Sequence, residues 1–451
     1  MRIHLIATGG SAMHNLAIAL HCNHHTVTGS DDEVYNPAKD RLAKHGLLPD
    51  KMGWDASRIT KDLDLIILGM HARPDNPELL RAKELGIKIY SYPEYLYLHA
   101  KNKVRLVVAG SHGKTSTTSM IMHVLRFHNK DFDYMVGAQL EGFDQMVRLT
   151  DAPLMVIEGD EYLSSPIDRR PKFLHYKPQI AIITGIAWDH INVFPTFKGY
   201  VEQFKLFIES IRKTGHLYVY QNDKHLKKLI KQLDSKLKTT SYEAFPHDIE
   251  NGKVIVNSGK RKVKLDIFGQ HNMENMQAAH LACQQVGIST EEFIKAIKTF
   301  KGAAKRLQLL KKNKTGGEAF LDFAHAPSKV AATTKAMRAR AGTQKVVACL
   351  ELHTFSSLNK KFLSQYKGSL DAADKAIVYF SEHTLKMKKL KPITREEVAK
   401  AFAHKNIQVF TDNKKVISAL KRFKFTDKKL LLMSSGTFSG IDLKKLAKEL
   451  I

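Results

Sequence analysis

Leu106-Val107-Val108-Ala109 leads directly into Gly110-Ser111-His112-Gly113-Lys114-Thr115-Ser116, and Thr117-Thr118-Ser119-Met120-Ile121-Met122 follows. The first four residues read as a buried strand and the last six as the start of a helix, so the stretch between them is a glycine-rich strand-to-helix turn. Glycines let backbone N–H groups turn toward an anion, and a helix N-terminus adds partial positive charge. Lys114 has the reach for β- and γ-phosphates, and the Thr115 hydroxyl is a ligand for Mg²⁺. The order strand, Gly-x-x-Gly-Lys-Thr, helix therefore predicts an ATP site with Mg²⁺. It is a shortened variant, because Val108 stands where the longer phosphate-loop pattern has a further glycine.

Two further apolar runs end in chemistry. Leu154-Met155-Val156-Ile157 ends on Glu158, and Ile180-Ala181-Ile182-Ile183-Thr184 is followed by Trp188-Asp189-His190. In an open parallel sheet, groups at the carboxyl ends of neighbouring strands face one crevice. Thr115, Glu158 and His190 are then a plausible ligand set for Mg²⁺, with waters and phosphate oxygens completing its shell.

Working outward, short Val/Ile/Leu runs alternate with amphipathic stretches along the whole chain, which predicts βαβ units and mostly parallel sheets. Strands are expected at 3–7, 65–69, 104–109, 154–158, 180–184, 319–323, 345–350, 375–380 and 430–433, with helices at 11–20, 200–211 and 272–286. The fold class is α/β in three domains, about 1–100, 101–304 and 305–451. A length of 451 residues suits that number.

Apolar residues make up 43% and charged residues 26%, enough for buried cores and too much for global disorder. Cys22, Cys283 and Cys349 are far apart and form no metal or disulfide pattern. The N-terminus carries no leader pattern, and no apolar run reaches the ~20 residues that span a bilayer. A cytoplasmic protein without membrane insertion is expected. The formal charge of +26 favours anionic partners. Its lysines are scattered rather than gathered along one groove, so they read as solvated faces and not as a nucleic-acid site.

The chain resembles the Mur ligase family of ATP-dependent amide-forming enzymes. The resemblance rests on the phosphate loop, Glu158-Gly-Asp-Glu-Tyr162, Asp189-His190, Gly269-Gln-His-Asn-Met-Glu-Asn275, Arg306, Asp322-Phe-Ala-His-Ala-Pro327 and Met433-Ser-Ser-Gly-Thr-Phe-Ser-Gly440. It implies a Rossmann-like N-terminal domain for a UDP-sugar, a central ATPase domain, and a Rossmann-like C-terminal domain that admits an amino acid or peptide. By motif it implies nucleotide contacts from Asn272, Asn275, Arg306 and Asp322, with Arg306 at the γ-phosphate. His325 is implied in substrate orientation or proton handling.

At the N-terminus, Thr8-Gly9-Gly10-Ser11-Ala12-Met13 lacks the full dinucleotide fingerprint but resembles the loop that holds the UDP diphosphate in the muramate-binding branch. Ser30 and Asp31 after the next strand, and His71 and Arg73 after another, complete the expected UDP-sugar set. That branch acts on UDP-N-acetylmuramate and adds either free L-alanine or a whole L-alanyl-γ-D-glutamyl-diaminopimelate tripeptide. The long segment Tyr162–Pro178, with Asp168-Arg-Arg-Pro-Lys-Phe173 and His175-Tyr-Lys-Pro178, favours the tripeptide-adding, recycling branch.

The chain departs from the family pattern at Gly185, Ala187, Gln308 and His353-Thr354. At the last of these an arginine able to clamp a carboxylate is missing. Lys205 stands near where several members carry a carbamylated lysine, although a plain surface lysine is the simpler expectation. No oligomeric state follows from these residues.

Overall fold

The computed structural model describes residues 1–189, 191–233, 237–250 and 252–451. His190 lies outside the described residues. The chain forms two compact units, one of Met1–Ile186, Lys198–Tyr242 and Ala278–Ser289, the other of Ala187–Phe197, Glu243–Gln277 and Thr290–Ile451.

The first unit holds two sheets. A four-stranded parallel sheet runs in the order Thr26–Ser30, Arg2–Ile6, Leu65–Leu68, Lys88–Ser91. A seven-stranded sheet runs Lys238–Tyr242, His216–Tyr220, Ile180–Ile183, Val104–Ala109, Leu154–Glu158, Asp133–Met135, Val147–Arg148, parallel except for its last strand. Its three central strands are buried almost end to end, as strands covered on both faces must be. This is why they appear in the sequence as continuous apolar runs rather than alternating ones.

Arg105 ties this sheet to its surroundings. The residue is fully buried, and its guanidinium donates to the carbonyls of Ala100, Lys101, Lys103, Tyr176 and Lys177. It thereby fixes the end of the helix Tyr92–Ala100 and the segment around 176 against the strand that carries the phosphate loop. A buried guanidinium is tolerable only when its donors are satisfied in this way.

The second unit holds an antiparallel three-stranded sheet, Asp248–Glu250, Lys253–Ser258, Arg261–Leu265, and a six-stranded sheet. The latter runs Gln308–Lys312, Glu318–Asp322, Lys429–Met433, Val346–Leu352, Lys375–Phe380, Ile407–Phe410, with only the first strand antiparallel. The predicted parallel α/β strands are present within a residue or two of their expected limits. No helix among the described residues is long and apolar enough to cross a membrane.

Candidate functional site

The central strand Val104–Ala109 ends at Gly110, and the helix Lys114–Phe127 begins four residues later. Gly110 has φ +127° and Gly113 φ +74°, both in the region that favours glycine. A Cβ on Gly110 would meet the Thr184 hydroxyl oxygen at 2.2 Å. The neighbouring strand therefore closes on the loop so tightly that only hydrogen fits. The Ser111 N–H donates to the Gly185 carbonyl at 2.9 Å. Gly185 itself has φ +142° and its Cα faces the Asp223 carboxylate, which accounts for a glycine at this departure from the family pattern.

Lys114 is nearly buried, with 14% of its side chain exposed. Its ammonium donates to the Gly110 carbonyl and to the Glu161 carboxylate, both at 2.6 Å. Burial alone would lower its pKa, but Glu161 and Asp160 outweigh that and raise it, so the group is a cation throughout the neutral range. The Thr115 hydroxyl donates to Glu158 Oε1 at 2.7 Å, and the Gly137 N–H donates to Glu158 Oε2 at 2.6 Å. Two hard oxygen groups, buried and side by side, one in the first turn of the helix Lys114–Phe127 and one at the end of the strand Leu154–Glu158, are a donor set that fits Mg²⁺. Lys114 on Glu161 and Thr115 on Glu158 thus lie in one neighbourhood of the loop.

Glu161 and Tyr200 had no assigned role in the sequence. The buried Tyr200 hydroxyl donates to Glu161 Oε1 at 3.0 Å and lies 2.8 Å from the Ser111 hydroxyl. A Glu-x-x-Glu spacing hinted at Glu161; nothing local marks Tyr200, which arrives through packing of the helix Phe197–Ser210. Tyr200→Phe should lower kcat/KM for ATP about 10-fold, since one buried hydrogen-bonded hydroxyl is worth ~1–2 kcal/mol. Steady-state kinetics with a parallel thermal melt measure it, and unchanged kinetics would remove Tyr200 from the site. Lys205, on the same helix, is 42% exposed and pairs with Glu202 at 3.3 Å and Glu209 at 4.0 Å, as a surface lysine does.

The loop Thr8–Met13 leaves the strand Arg2–Ile6 and enters the helix Ser11–Cys22, whose N-cap Gly10 supplies no side-chain cap. Asp31 accepts the Gly9 N–H at 2.7 Å and the Asp32 N–H at 2.9 Å, so it shapes the loop. Burial raises its pKa against the pull of those amides and of His71. His71 packs over Gly10, within 3.4 Å of where a Cβ would stand. Thr8 donates its N–H to the Ser30 carbonyl at 2.9 Å, while the Ser30 hydroxyl turns into a buried cluster with Glu78 and His4. Arg73 is 81% exposed and paired with Asp75.

In the second unit, Asp322 accepts the N–H groups of Leu307 and Ala324, both at 2.7 Å. It so fixes the turn carrying Arg306, whose guanidinium lies 4.8 Å from the Phe323 ring centre. His325 Nδ1 lies 2.9 Å from the Phe323 carbonyl oxygen. Asn272 and Asn275 are buried one turn apart on the helix Gln270–Gln285. At the departure from the family pattern, buried Glu351 accepts from Ser434 and from the Phe438 N–H, and His353 lies 3.9 Å from it.

A glycine turn at the switch point of a parallel sheet, with a lysine, a threonine and a carboxylate gathered behind it, defines a P-loop nucleotide enzyme. Three family descriptions match in succession: Mur ligase family, catalytic domain, over residues 2–104; Mur ligase middle domain over 108–283; and Mur ligase, glutamate ligase domain, over 305–436. A UDP-N-acetylmuramate--L-alanine ligase of Caldicellulosiruptor bescii is 30% identical, covering 83% of this chain and 82% of its own. The UDP-N-acetylmuramate--L-alanyl-gamma-D-glutamyl-meso-2,6-diaminoheptandioate ligase of Escherichia coli K12 is 29% identical, covering 99% and 98%. A murein peptide ligase from Psychrobacter arcticus shares the fold, with a TM-score of 0.67 at 22% identity over 100% of this chain and 98% of its own. The chain belongs to the Mur ligase family, and it is an ATP-dependent ligase.

Proposed function

We propose that the protein joins UDP-N-acetylmuramate to L-alanyl-γ-D-glutamyl-meso-diaminopimelate in peptidoglycan recycling. The observation that carries the ATP chemistry is the phosphate loop with Lys114 held on Glu161 and Thr115 on Glu158. Likeness to the Escherichia coli ligase over nearly the full length supports the tripeptide, as does the Tyr162–Pro178 segment. The division 1–100, 101–304 and 305–451 is retained for the UDP-sugar, ATP and peptide domains. ATP and a nucleotide sugar as substrates place the reaction in the cytoplasm.

In this reading the lactyl carboxylate attacks the γ-phosphorus of ATP, ADP leaves, and an acyl phosphate forms. The α-amine then attacks the acyl carbon and inorganic phosphate leaves. Phosphorylation is needed because a carboxylate has no adequate leaving group. Lys114 and Arg306 neutralise charge on the transferred group, and the loop amides of 110–116 hold the phosphates in place. Mg²⁺ held by Thr115, Glu158 and His190 would supply further charge neutralisation at the phosphates. Asn272, Asn275 and Asp322 are assigned to the nucleotide and His325 to orientation of the reactants. Thr8–Met13, Ser30, Asp31, His71 and Arg73 are assigned to the UDP-sugar.

An amine panel tests the substrate. With ATP and UDP-N-acetylmuramate, the tripeptide should give a kcat/KM at least ~100-fold above free L-alanine. Product mass identifies the adduct. The reverse preference would move the protein to the alanine-adding branch, and ATP turnover without either amine product would overturn the ligase chemistry proposed.

A further inference from the structure

We propose that Glu94, Asp168 and His175 form a site for a divalent transition cation of the Zn²⁺ or Mn²⁺ class, separate from the phosphate loop. This inference does not depend on which peptide the ligase takes.

The three residues come from different places in the first unit. Glu94 lies in the first turn of the helix Tyr92–Ala100, Asp168 in the turn preceding Arg170, and His175 ends the short helical turn Lys172–His175. One ligand atom from each lies within 4.8 Å of the others, so small side-chain rotations bring all three to bonding distance of a shared ion. The His175 side chain is 6% exposed, and its Nε2 lies 3.3 Å from Asp168 Oδ2. Yet that nitrogen has no hydrogen-bond partner among the described residues. A buried ring nitrogen left in this state carries a desolvation penalty that coordination would relieve.

The carboxylates are already oriented. Glu94 Oε2 accepts from the Ser91 N–H at 2.8 Å and the Ser91 hydroxyl at 2.7 Å, leaving Oε1 for a cation. Asp168 Oδ1 accepts the Arg170 N–H at 3.0 Å. One imidazole with two carboxylates suits Zn²⁺ or Mn²⁺, whereas Mg²⁺ and Ca²⁺ prefer oxygen alone.

Arg170 is the competitor. Its guanidinium donates to Asp168 at 2.7 and 3.0 Å and lies 3.8 Å from Glu94 Oε1. That side chain is 62% exposed, so it can turn into solvent when a cation enters. Guanidinium and cation thus exclude one another. A bound ion would staple the helix Tyr92–Ala100 to the segment whose other end carries Glu158 and Glu161.

The test uses the metal-stripped, nucleotide-free full chain, titrated with Zn²⁺ against a chromophoric chelator and with Mn²⁺ by electron paramagnetic resonance. Asp168→Asn should remove one equivalent of bound metal, and His175→Gln should weaken that equivalent at least ~10-fold. Arg170→Ala changes an exposed residue and so keeps the test valid if a buried variant misfolds. It should bind at least ~10-fold more tightly than the unsubstituted chain, with the metal raising its melting temperature. Unchanged binding in His175→Gln, or no gain in Arg170→Ala, overturns the proposal.

Discussion

Lys114→Ala is expected to lower kcat about 1,000-fold, or ~4 kcal/mol of transition-state stabilisation. The ammonium is held by Glu161 and the Gly110 carbonyl at 2.6 Å, so its position is set before ATP arrives. A preorganised charge of this kind opposes the negative charge that builds on the transferred phosphoryl group, and water drawn into the vacated space cannot replace it. Lys114→Arg should rescue little, because a planar guanidinium does not fit the space of a nearly buried ammonium. The raised pKa adds a pH signature: the lysine stays charged through neutrality, so the rate profile shows no lysine limb until pH rises past its usual alkaline range. Single-turnover ADP formation measures the effect, and a loss below 10-fold would separate Lys114 from the chemistry.

The largest expected effect on stability lies in the second unit. Glu318 is buried and accepts from Arg340 Nε and Nη2, both at 2.9 Å, with Lys429 Nζ at 3.1 Å. Burial would raise its pKa, but the two cations override this and push it down to about 2 from an unfolded value of 4.5. A depressed carboxylate pKa stabilises the fold above the unfolded pKa and loses that contribution as pH falls from about 5 toward 2. The difference corresponds to about 3 kcal/mol. Glu318→Gln should therefore lower the melting temperature by ~6–12 °C at pH 7, leaving the buried Lys429 and the largely covered Arg340 as unbalanced charges. Near pH 2.5 the gap between variant and parent should shrink to a few degrees. Thermal melts at the two pH values decide it, and an equal gap at both would exclude the linkage.

Much of this is written in the local sequence. The phosphate loop is local chemistry, since glycines, lysine and threonine at fixed offsets imply one backbone shape. The strand Leu154–Glu158 was legible because both faces are buried and nothing polar interrupts it before Glu158. What escaped depends on distance in space. Tyr200 reaches Glu161 and Ser111 only through packing. The bond from the Gly9 amide to the Asp31 carboxylate likewise joins residues far apart in sequence. The antiparallel sheet Asp248–Leu265 was missed because its middle strand has Val254, Ile255 and Val256 buried in succession, with no alternation to mark it. Gly185 departs from the family pattern, and only its positive φ in the fold supplies a reason.

Oxygen transfer gives the sharpest check on phosphorylation at the Lys114–Glu158 crevice. UDP-N-acetylmuramate labelled with ¹⁸O in the lactyl carboxylate should be turned over with unlabelled ATP and tripeptide, and the released phosphate weighed. The acyl-phosphate route carries one carboxylate oxygen into phosphate at every turnover. Phosphate without the label, or label found in a nucleotide, would contradict it.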